Sequence, residues 1–97
     1  MKARILGKMW TIAFAKLRRN RARGMCDPVE AKDKTIVIEE RLRGRAKLDT
    51  VIHEATHAAF PWMAEETVQE FAADLARLCY RLGFLERTEE AGDRTTA

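Results

Sequence analysis

The chain contains two histidines, and they stand four residues apart in the run His53-Glu54-Ala55-Thr56-His57. On an α-helix, residues four apart lie about one turn apart on one face, so both imidazoles reach a single metal ion. Glu54 projects about 100° around the helix axis from His53. From there its carboxylate faces a metal-bound water without ligating the metal. A zinc ion held by two neutral imidazoles and one further protein ligand keeps a position open for water. It also brings the pKa of that water towards neutrality, and a carboxylate base takes the proton as the oxygen attacks a carbonyl carbon. The plainer alternative leaves both histidines as hydrogen-bonded helix residues with no metal between them. The H-E-x-x-H spacing favours the metal.

The hydrophobic pattern predicts the helices and strands that carry these groups. Leu48, Ile52, Ala55 and Ala59 recur at helical spacing, and Pro61 stops the pattern, which predicts a helix over about 48–60. Val68, Phe71, Ala72, Leu75, Leu78, Cys79 and Leu82 form a second stripe, predicting a helix over about 65–82 with Gly83 as its C-terminal cap. A tetrahedral site needs a third protein ligand, and Glu65, Glu66, Glu70 and Asp74 all fall on this second helix. Against the apolar stripe, Glu66 points almost directly away and Glu70 is little better. Glu65 and Asp74 lie at opposite margins, where a carboxylate could turn towards the first helix. Glu65 and Glu66 also suit the helix N-terminal dipole, and Asp74 could orient a ligand histidine from behind.

Upstream, Trp10, Ile12 and Phe14 alternate with Thr11, Ala13 and Ala15, so 9–17 reads as a half-buried strand. Residues 18–24 read as a basic turn, and Cys26-Asp27-Pro28 continues the irregular stretch. The β-branched run Thr35-Ile36-Val37-Ile38-Glu39 predicts a second strand, closed by Gly44. Strands followed by two helices imply an α+β domain, with the helices on a small antiparallel sheet.

At this point the chain resembles a family. His53 to His57, after a strand and a helix start, is similar to the zincin metallopeptidases of the gluzincin type. The stretch Glu65-Glu66-Thr67-Val68-Gln69-Glu70-Phe71-Ala72-Ala73-Asp74-Leu75 resembles the glutamate helix of the ImmA/IrrE family. The resemblance covers roughly residues 35–82 and extends to short phage and prophage proteins with the same strand, HExxH and helix. It implies a minimal zincin-like domain hydrolysing peptide bonds. His53, His57 and Glu65 would be the zinc ligands (Glu66 being the alternative third), and Glu54 the general base. It also implies that Ile36-Val37-Ile38 aligns a peptide substrate. The His57–Glu65 loop is shorter than is usual in that family, and its Leu-Met-Pro helix ending is missing. The distal His or Tyr that often steadies the oxyanion has only Tyr80 as a counterpart.

Composition bounds the rest. At 97 residues, with 46% hydrophobic and 34% charged, the sequence describes one ordinary globular domain, taken as 1–87 with a tail at 88–97. A core this small gains from a bound metal or a homo-oligomer. No apolar run reaches membrane-spanning length, and the N-terminus carries no signal-peptide pattern. Cys26 and Cys79 form no CxxC or disulfide framework, so the expected compartment is cytoplasmic. Arg18, Arg19, Arg21 and Arg23, with Lys16, could make weak phosphate contacts to nucleic acid, although such a run is more often a solvated loop. A competing class is therefore a non-catalytic or vestigial metal-binding phage regulatory module that binds nucleic acid or protein. Trp10, Phe14 and Trp62 could stack on a ligand but suit core or rim packing better, with Trp62 at the cleft mouth. Cys79 falls on the apolar stripe of the core.

Overall fold

The alternation around Trp10 does form a strand, and it lies inside a sheet that carries the first helix on one face, the second helix packing on the first rather than on the sheet. The computed structural model describes residues 1–17 and 23–85. In chain order the elements are β1 (Lys2–Ile5), β2 (Lys8–Ala15), β3 (Gly24–Cys26), β4 (Thr35–Glu39), α1 (Gly44–Ala59) and α2 (Glu65–Arg81). This is the expected α+β order. The expected tail at 88–97 and Arg18, Arg19 and Arg21 lie outside the described residues.

The sheet is mixed rather than antiparallel. Its order is β1-β2-β4-β3, with β2 and β4 parallel and the two outer pairs antiparallel. Local sequence reports only that a strand exists; the direction of pairing is set by where the chain returns. β1 and β2 form a hairpin through Leu6 and Gly7, whose φ angles of 47° and 78° are both positive, as a type I′ turn requires. The N-terminus extends that pairing. Met1 donates its amino group to the Ile12 carbonyl at 3.1 Å and accepts from the Ile12 N–H at 2.7 Å.

Trp10, Ile12, Ile36 and Ile38 project from one sheet face and bury against Ala58 of α1, with Val51 beside them. Phe14, at the end of that row, stays partly exposed under the Lys47 ammonium. Glu39 ends β4 with its carboxylate buried in a ring of donors. It accepts from the Leu17 N–H at 2.7 Å, from the Arg41 N–H at 3.0 Å and from the Arg41 guanidinium at 2.6 and 3.1 Å. These bonds hold its pKa down at about 2, the Arg41 side chain contributing most. Its own N–H donates to the Arg23 carbonyl at 2.7 Å.

Gly44 opens α1 instead of closing the strand unit, so the helix begins four residues before the periodicity shows. α2 packs on α1 and on no other described element. It ends as Gly83 predicts. Gly83 adopts a φ of 83°, its N–H donates to Tyr80 O at 3.1 Å, and the Phe84 N–H donates to Cys79 O at 2.9 Å. That is a Schellman cap. Cys79 is half-buried rather than a core residue. Among the described residues, no helix is long and apolar enough to cross a membrane.

Candidate metal centre

α1 places His53 and His57 one turn apart, and the short connection through Pro61 returns the start of α2 beside them. The three groups meet. Glu65 Oε1 lies 2.9 Å from His57 Nε2, Glu65 Oε2 lies 3.2 Å from His53 Nε2, and the two Nε2 atoms are 3.2 Å apart. The rings stand edge to face with centroids 4.8 Å apart. One ligand atom from each residue can converge within 4.8 Å, so these side chains form a group able to hold a metal ion. Glu66 and Glu70 are exposed on α2 and take no part in this group; Asp74 is turned to Arg77 at 3.1 Å.

Glu54 stands beside the group without joining it. Its residue is buried, and burial pushes its carboxyl pKa up. The nearby His53 and His57 oppose that rise, while Glu65 adds to it. Gly24 of β3 lies against Glu54 and Thr50 at a distance that leaves no room for a side chain.

The cleft around these residues has two parts. The larger, of about 710 Å³, is lined by Arg23, Gly24, Asp49, His53, Glu65 and Gln69 among others. The smaller, of about 210 Å³, lies past Glu54 and His57 against Cys26, Pro28, Val29 and Pro61. Burial foremost, then Glu54 and Asp27, pushes the Cys26 thiol up to about 11, so it is protonated at neutral pH. Trp62 is not on the cleft wall. It is exposed and packs edge to face on Phe60, and Pro61 takes the position expected of it. Tyr80 does not line the cleft either; the Arg45 guanidinium sits 5.8 Å over its ring.

The strand along the cleft is β3, not Ile36–Ile38. β4 is paired on both sides, with β2 and with β3, and so has no free edge. In the antiparallel β3–β4 pair, Arg23 bonds to Glu39 and Asp27 to Thr35. Bonded positions alternate in such a pair. Gly24 and Cys26 therefore turn their backbone N–H and C=O groups away from β4, towards the open edge. Sequence reading missed β3 because Gly24-Met25-Cys26 has no β-branched or large strand-forming residue. It missed Asp49 and Gln69 because a single polar residue on a helix carries no signal of what it lines. No protein-family model, curated protein or solved structure matches the chain.

Proposed function

We propose that the chain is a zinc-dependent peptidase. The observation that carries this reading is the meeting of His53, His57 and Glu65 below the free edge of β3, with Glu54 beside them. Ligands about 2.0–2.1 Å from one zinc at tetrahedral angles stand roughly 3.3 Å from each other. The two Nε2 atoms stand 3.2 Å apart, and each lies within 3.2 Å of one oxygen of the Glu65 carboxylate, a spacing that supports such an occupant. Two imidazoles and one carboxylate are also the donor set of a catalytic zinc with an open position. When bound, zinc supplies a Lewis acid that polarises a carbonyl and acidifies water.

The chain's own residues then do the following. An extended substrate adds as a strand at β3, bonding the outward N–H and C=O groups of Gly24 and Cys26. Glu54 accepts a proton from the water whose oxygen attacks the scissile carbonyl carbon. It returns that proton to the amide nitrogen as the C–N bond breaks. Gly24 keeps the space that this carboxylate occupies.

The test combines metal analysis with one substitution. Purified protein should carry one zinc per chain by mass spectrometry. Glu54→Gln should keep the zinc while peptide cleavage falls by about 10²-fold or more. A folded, metal-free protein, or equal loss of metal and activity in the variant, would overturn the reading.

A further inference from the structure

We infer that two copies of this chain associate through an antiparallel contact between their α2 helices, on the side away from the cleft. This is independent of the metal and of any catalysis.

α2 has more apolar surface than α1 covers. Val68, Ala72 and Ala76 are buried on α1. A second row, Phe71, Leu75, Leu78 and Leu82, runs at spacings of four, three and four, the seam spacing of paired helices. Phe71, Leu78 and Leu82 are 46%, 51% and 60% exposed, and Phe84 just beyond the cap is 75% exposed. With side-chain areas of roughly 150–200 Å², these four leave about 400 Å² of apolar surface per chain. That falls within the roughly 300–600 Å² of the largest patches that monomers carry. Two such faces bring together about 800 Å² of apolar surface, the size of a weak, concentration-dependent interface below ~1,200 Å².

Charge selects the occupant. When Leu75 packs on Leu78 of a second copy and Phe71 on Leu82 of that copy, the helices run antiparallel. Asp74 then lies beside Arg81 of the second copy, and two-fold symmetry repeats the pair. A parallel arrangement sets Asp74 beside Cys79 and gains no such pair. Asp74 is exposed on α2 with Arg77 as its neighbour 3.1 Å away, so it can accept a second cation. The seam is complementary to itself in apolar spacing and in charge. Gln69 and Ala73, on the opposite flank of α2, line the cleft and remain open.

The experiment is sedimentation velocity on the full chain over a wide concentration range, with and without anionic phospholipid vesicles. A dimer is expected in the absence of vesicles. Leu78→Glu should shift it to monomer with an unchanged helical circular dichroism spectrum. Arg81→Asp should weaken dimerisation by about tenfold or more, since it sets like charges together. Adding Asp74→Arg to it should restore affinity to within a few-fold. A native chain that stays monomeric at every concentration would overturn the proposal, whether or not it binds vesicles. So would a dimer indifferent to Leu78→Glu, or a double reversal that restores nothing.

Discussion

Gly24 and Glu54 are in contact at a point where any larger residue on β3 would collide. A β-carbon on Gly24 would stand 2.9 Å from Glu54 Cγ, 3.0 Å from Glu54 Oε2 and 2.9 Å from Thr50 Cγ2. The φ angle of Gly24 is not in the left-handed region, so the backbone would accept alanine. The restriction is wholly one of space, and it falls on the carboxylate next to the metal group.

Gly24→Ala should therefore turn Glu54 aside while leaving His53, His57 and Glu65 in place. The expected result is one zinc per chain, as in the parent, with kcat reduced by about tenfold or more, since misplacing a reacting group by about an ångström costs on that scale or beyond. Unchanged turnover would mean Glu54 does not work from its observed position.

Removing the third ligand should act on the metal itself. Glu65→Ala should weaken zinc binding beyond the ~10–100-fold that outer-sphere changes cost. Glu66→Ala should leave affinity unchanged, and stability should fall only by a few tenths of a kcal/mol through the helix dipole. Competition titration with a chromophoric chelator measures both. The reverse order of affinities would transfer the ligand role to Glu66.

A metal held by His53, His57 and Glu65 would tie two helices together and so link metal binding to folding. Stripping the metal with a chelator should lower Tm, and adding zinc back should restore it in a concentration-dependent way. At 100 times Kd the stabilisation is about 2.7 kcal/mol. Scanning calorimetry of Glu65→Ala should show most of this response gone.

Acid should unlock the end of β4. Glu39 is held down to about 2 in the folded chain, from an ordinary value of 4.5. A carboxylate bound more tightly as an anion stabilises the fold fully above its unfolded pKa, and that contribution fades as pH falls through the folded value. The difference in urea midpoint between the parent and Glu39→Gln should thus be constant above about pH 4.5 and shrink towards pH 2. A gap that persists unchanged at pH 2 would show that the four hydrogen bonds, not the charge, hold this corner.

How much of this was legible in the sequence depends on the range of each signal. The two helices and the Gly83 cap rest on periodicity and backbone conformation, both local, and they were readable. Glu65 was readable as a stripe-margin residue through helix phase, and its carboxylate does meet His53 and His57. β1 was not, because Leu6-Gly7 lacks the Asn or Asp that marks a type I′ turn, although its φ values are those of one. The parallel pairing of β2 with β4 was not either, since no residue type records the direction of a distant neighbour. Gly24 was visible as a glycine, but its meaning depends on a carboxylate thirty positions along the chain.

Glu39 binds the Leu17 N–H through its side chain and the Arg23 carbonyl through its backbone. One residue thereby pins both banks of the chain between β2 and β3. The register that sets Gly24 against Glu54 is thus tied to the same buried residue that closes β4, so a change at Glu39 would reach the cleft through β3.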